Sequence, residues 1–209
     1  MSADLSRLRT PGWRLIAGLS LLVVVPLTVL ARVGWHPLTS FDRRSDDSAH
    51  TYVLGHDWLL STAQKLTHLG DPLVVTVLAV LGAGVMFLMG RRRAAVYLLL
   101  VRLVAVVVGD GLKELIRRAR PVLAHPVAHA QGFSFPSGHA LGSAALYASI
   151  AVVLGPRVPF AVRLALGVLP PLVVAATRVL LGVHFPSDVV AGLVAGWAIA
   201  LLLAVAVQP

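Results

Sequence analysis

Six apolar runs, each near the length of a bilayer-spanning helix, leave this chain little choice of solvent. They cover residues 13–33, 72–89, 94–112, 140–154, 162–181 and 189–207. Crossing the hydrocarbon core as a helix takes roughly 20 apolar residues, and a helix bonds every backbone group within the segment. Charged residues make up only 13% of the chain, where a soluble domain carries about a quarter. The expected fold is all-α: one polytopic membrane domain over residues 1–209, with six transmembrane helices.

The first run follows Arg7, Arg9 and Arg14 and resembles a secretory signal. Its apolar stretch over 15–31 exceeds the roughly 7–15 residues of a signal core, and no small-x-small cleavage site follows. An uncleaved first span is expected, with Trp13 and Trp35 as interfacial anchors at its two ends.

Net charge is +9, which in a soluble protein would suggest nucleic acid. Here the basic residues cluster between apolar runs, and 6% aromatic content is too sparse for a base-stacking surface, so no nucleic-acid partner is expected. Arg7, Arg9 and Arg14, then Arg91, Arg92 and Arg93, then Arg157 and Arg163 fall on one side of the membrane. The positive-inside rule makes that side cytoplasmic, together with both termini. The extracytoplasmic side of the plasma membrane receives 34–71, 113–139 and 182–188, and with them all eight histidines. Lys113, Arg117, Arg118 and Arg120 violate the charge rule there, which asks for a functional reason. The chain has no cysteine, so thiolate chemistry is excluded.

In the first outer connection, Asp46, Asp47 and Ser48 offer helix caps and Gly70-Asp71-Pro72 a stop. Leu54, Trp58, Leu66 and Leu69 recur near helical spacing between them. This reads as an interfacial amphipathic helix over 49–69, or as a short helix packed on the bundle.

Three polar clusters converge on the outer side. Lys113 and Arg120 are seven residues apart, two turns along nearly one helical face, about 10 Å. Pro136-Ser137-Gly138-His139 precedes the fourth run. Ser137 can cap that helix, Gly138 lets an anion approach the free N–H groups, and His139 stands ready to move a proton. Thr177-Arg178, His184 and Asp188 bracket the last turn, with Pro186 suited to a first helical turn and Ser187 a possible cap. Asp188 is close enough in sequence to hold one ring nitrogen of His184 and leave the other nucleophilic.

Lys113 with Arg120-Pro121, Pro136-Ser137-Gly138-His139, and Arg178 with His184 and Asp188 together resemble the three-part signature of the type 2 phosphatidic acid phosphatase superfamily, which also includes vanadium haloperoxidases. The pattern departs at Thr177, where the family usually has Ser, and the hydroxyl is kept. The resemblance implies that Lys113, Arg120, Arg178, Ser137 and Gly138 bind phosphoryl oxygens. It implies that His184, oriented by Asp188, attacks phosphorus, while His139 protonates the leaving group and then activates water. No metal or other cofactor is required in that scheme, and the partner is a lipid phosphate in the membrane. Undecaprenyl pyrophosphate, phosphatidic acid and phosphatidylglycerol phosphate all fit.

Two other functions share these residues. A lipid phosphotransferase would run the same chemistry with another acceptor. A non-catalytic lipid-binding or transport protein would keep the anion site, and Arg102, inside the third run, bears on that reading. The preferred account of Arg102 is structural, bonded to Asp110, to backbone carbonyls or to a neighbouring helix. His125 and His129 read as loop residues rather than a metal pair, because Pro126 opposes a helical i, i+4 arrangement.

Overall fold

The computed structural model describes residues 12–209, with side chains at 15 and from 18 onward. Arg7 and Arg9 lie outside the described residues, as do the side chains of Trp13 and Arg14. The elements are α1 (Gly12–Val33), α2 (His36–Leu54), α3 (Asp57–Leu66) and a 3-10 turn at Thr67–Gly70. After them come α4 (Pro72–Leu88), α5 (Arg92–Ile116), α6 (Gly138–Leu154), α7 (Phe160–Leu180) and α8 (Pro186–Val207). No strand occurs among the described residues.

Among the described residues, four helices are each long and apolar enough to cross a membrane: Arg92–Ile116, Gly138–Arg157, Phe160–Leu180 and Pro186–Val207. Two bent pairs, Gly18–Val33 with His36–Leu54 (93°) and Asp57–Gly70 with Pro72–Leu88 (46°), bring the number to as many as six when each pair is counted as one span. The expected spans thus appear as α1 and α4 to α8. Their outward faces are leucine and valine, with Leu22 71% and Leu88 86% exposed, as a lipid-facing surface requires.

The spans are held by close backbone approach. Gly192 and Gly196, one turn apart on α8, press against α6. A Cβ at Gly192 would lie 2.7 Å from the Ser137 carbonyl oxygen, and one at Gly196 would run into that of Leu141. Ala140, Ala144, Ala191 and Ala195 are buried beside them. Such small-residue seams supply the van der Waals contact that holds helices in lipid, where burial from water cannot. The seam also brings the N-termini of α6 and α8 side by side, and the Ser137 N–H donates to the Asp188 carbonyl at 3.0 Å. The C-termini of α5 and α7 arrive at the same end.

The connection between α1 and α4 departs from the expected helix over 49–69. It forms two helices and a 3-10 turn, broken at Gly55-His56, and its first helix starts at His36 with Pro37 in the first turn. Asp46, Asp47 and Ser48 are therefore mid-helix and cap nothing. The reason is tertiary: Asp42 and Asp46 are buried against the bundle, with Asp42 bonded to groups far along the chain. Trp58 remains 65% exposed on α3.

Candidate active site

The end of the bundle where α6 and α8 begin holds a cavity of about 470 Å³. Lys113, Arg120, Gly138, His139, Arg178 and His184 line it, together with Thr67, His68, Asp71 and His129. Six of the eight residues singled out in the sequence thus face one space. Ser137 and Asp188 are fully buried behind it.

Each arrives by a different route. Lys113 lies in the last turn of α5 and stands 3.7 Å from Asp110. Arg120 does not share its helical face as expected: α5 stops at Ile116, where Arg117 takes φ +49°, and the chain turns away. Arg120 reaches the cavity from the loop, held by the carbonyls of Gln131, Gly132 and Val183 at 2.8–3.0 Å. Burial lowers its pKa from the ordinary arginine value. Arg178, in the last turn of α7 and 6% exposed, donates to Thr67 Oγ1 at 2.7 Å. Its Nε has no acceptor among the described residues.

Ser137 takes the cap position of α6, its Oγ accepting from the Ala140 N–H at 3.5 Å. The hydroxyl is therefore turned to the helix, and Gly138 presents the helix start to the cavity. A Cβ at Gly138 would meet Lys113 Nζ at 3.3 Å, so glycine there lets the ammonium sit against the helix N-terminus. Free first-turn N–H groups and an adjacent cation make an anion cradle.

His184 sits in the turn between α7 and α8 and is 2% exposed. Its Nδ1 is 3.6 Å from Asp188 Oδ2, too far for a direct hydrogen bond. Ser134 stands beside both: its Oγ lies 3.4 Å from Nδ1 and donates to Asp188 Oδ2. The other nitrogen, Nε2, accepts from Arg120 at 3.1 Å. This pattern places the proton on Nδ1 and the lone pair on Nε2, toward the cavity cations. Burial pushes the His184 pKa down to about 4, against the pull of Asp188, so the ring is neutral.

Asp188 is held by three donors, Arg118, Ser134 and the Phe185 N–H. Its side chain accepts the Phe185 N–H at 2.9 Å, so Phe185, not Ser187, occupies the cap position of α8. Ser187 instead donates to Asp42 at 2.6 Å. Arg118 joins Asp188 and Asp42 at 2.6 Å each and lies over the Phe185 ring at 4.4 Å.

Sequence reasoning missed Ser134 and Asp42, read Asp71 only as part of a helix stop, and read Arg118 only as part of a basic cluster. The violated charge rule was the available signal for Arg118. Asp71 accepts from His139 Nε2 at 2.8 Å. Arg102 bonds Thr76 Oγ1 at 2.8 Å and the Pro72 carbonyl at 3.3 Å, both on α4 rather than Asp110. The His125 carbonyl receives a bond from His50 at 2.8 Å, which ties the 117–137 loop to α2.

Residues 94–209 match the model of the PAP2 superfamily. Phosphatidylglycerophosphatase B of Bacillus subtilis is 36% identical over 147 residues, covering 67% of this chain and 71% of that protein. Decaprenylphosphoryl-5-phosphoribose phosphatase of Mycobacterium tuberculosis is 36% identical over 142 residues, covering 66% and 75%. The crystal structure of a transmembrane PAP2-type phosphatidylglycerolphosphate phosphatase from Bacillus subtilis superposes with a TM-score of 0.76 at 28% identity, over 90% of this chain and 93% of that one. This chain belongs to the PAP2 superfamily.

Proposed function

We propose that this membrane PAP2 phosphatase hydrolyses the phosphate monoester of a lipid, with His184 as the nucleophile. The observation that supports it most is the contact of His184 Nε2 with Arg120, which turns that nitrogen's lone pair into a cavity that Lys113, Arg178 and His139 share. In the first step Nε2 bonds to phosphorus and the P–O bond to the lipid breaks. His139 gives its proton to the leaving oxygen. In the second, water attacks phosphorus, the N–P bond breaks, and His139 takes the water proton. Inorganic phosphate leaves and both histidines are restored.

The fixed cations and the α6 N–H groups stabilise charge on the phosphoryl oxygens as the bond breaks. Arg120, bonded to Nε2 without substrate, exchanges that contact for a phosphoryl oxygen. Asp188, Ser134 and Arg118 keep the ring oriented. The relatives in Bacillus and Mycobacterium are both named for lipid-linked phosphates, which favours a lipid monoester over a pyrophosphate here. The cavity lies at the bundle end opposite Arg91, Arg92, Arg93, Arg157 and Arg163, which supports an extracytoplasmic site.

Purified protein is expected to release phosphate from phosphatidic acid or phosphatidylglycerol phosphate in EDTA, because lysine and arginine carry the charge. His184→Ala should abolish that release. Retained turnover in that variant would remove the mechanism. Transfer of the phosphoryl group to an added acceptor lipid, with no free phosphate, would make the protein a transferase.

A further inference from the structure

Asp71 sits at the junction of the 3-10 turn and α4, a place where aspartate ordinarily caps the following helix. It makes no such bond. Both carboxylate oxygens go to histidines instead: Oδ1 to His139 Nε2 at 2.8 Å, Oδ2 to His68 Nδ1 at 2.5 Å. The preceding residue makes the approach possible. Gly70 packs so closely on α6 and α7 that a Cβ would lie 2.5 Å from Val174 Cγ1 and 3.2 Å from the His139 carbonyl oxygen. The backbone is pressed against the histidine that the carboxylate holds.

The surroundings give that carboxylate a task. Lys113, Arg120 and Arg178 line the cavity with His139, as does His184. Those three cations oppose a proton on His139, yet a general acid must carry one. Asp71, supported by His68, is the anion in contact with the ring. The two histidine bonds outweigh burial and hold the Asp71 carboxyl below its ordinary range, so it is charged.

We propose that Asp71 is the positioning residue of the acid–base histidine: it holds His139 through Nε2, favours the ring's protonated form among the cations, and leaves Nδ1 to serve the leaving oxygen. His68 fixes the carboxylate. The site then has two histidine–carboxylate pairs, one for the nucleophile and one for the acid. This rests on the reading of His139 as the group that protonates the leaving lipid.

The test uses leaving groups of different basicity. Full-length protein in detergent is assayed on a long-chain alkyl phosphate, whose alkoxide needs a proton, and on a nitrophenyl phosphate with a similar chain, whose phenolate needs much less. Asp71→Asn is expected to lower kcat on the alkyl ester by about 10- to 100-fold with KM little changed, part of what general acid catalysis supplies. Its loss on the nitrophenyl ester should be at least tenfold smaller, and Asp71→Glu should recover part of the alkyl activity. Equal losses on both esters, or no loss on either, would overturn the role. His139→Ala run in parallel separates the premises. If it shows the leaving-group effect and Asp71→Asn does not, only the Asp71 role fails. If wild type turns over neither ester, the phosphatase reading fails and takes this one with it.

Discussion

Replacing Asp42 with alanine should loosen the active site from a helix that does not line its cavity. Asp42 is fully buried and accepts three bonds: from the Ser187 N–H at 3.0 Å, the Ser187 hydroxyl at 2.6 Å, and Arg118 at 2.6 Å. Each is a bond to a charged group, worth about 1.5–3 kcal/mol. Taking one partner from a buried ion pair costs about 3–5 kcal/mol, because the other charge stays behind. Arg118 keeps Asp188, Ser187 Oγ and the Phe185 ring, so the lower end applies: about 3 kcal/mol. Reversible denaturation in detergent measures it. The double variant Asp42→Ala with Arg118→Met should lose less than the sum of the two singles, since each removes the same contact. A loss below about 1 kcal/mol, or simple additivity, would show that the pair does not hold α2 to α8.

The small-residue seam gives a prediction of opposite signs. Gly196→Ala forces a Cβ to 2.8–2.9 Å from Ala144 Cβ and Ala145 N, and should destabilise by about 1–3 kcal/mol in the same assay. Gly84→Ala meets nothing within 4 Å and should be neutral or stabilise by up to about 1 kcal/mol. Gly138→Ala displaces Lys113 Nζ, a flexible end, so it should raise KM several-fold while leaving the fold intact. The His184 pKa of about 4 lies below its unfolded value of 6.5. The nucleophile is therefore neutral down to about pH 4, and the acid limb that it imposes on kcat/KM should fall there. The same shift lowers stability as pH falls from 6.5 toward 4, where the unfolded chain binds a proton that the folded one refuses. Because the chain has no cysteine, Val122→Cys, at a 97% exposed loop position, gives a single thiol that a membrane-impermeant reagent should reach from outside intact cells.

The spans were legible because lipid imposes one simple condition, a long apolar helix, and each run satisfies it. The motif residues were legible because their spacing sits at helix ends, which antiparallel spans bring to one layer. What the sequence hid was the route by which each side chain arrives. Lys113 and Arg120 look like one helical face, but Arg117 in the left-handed region ends the helix between them. Asp46, Asp47 and Ser48 look like caps, yet burial of Asp42 and Asp46 against α8 and its neighbours decides that helix instead. Asp42 and Ser187 are 145 residues apart, and Asp71 and His139 are 68 apart. No local pattern marks such pairs.

The most direct test is to trap the intermediate. Lipid phosphate labelled with radioactive phosphorus is mixed with enzyme, quenched in alkali within one turnover, and the chain digested and mapped. The proposed mechanism requires label that survives alkali, is lost in acid, and lies on the peptide containing His184, with none in His184→Ala. Label on another residue, or full turnover with no labelled histidine at any time, would contradict it.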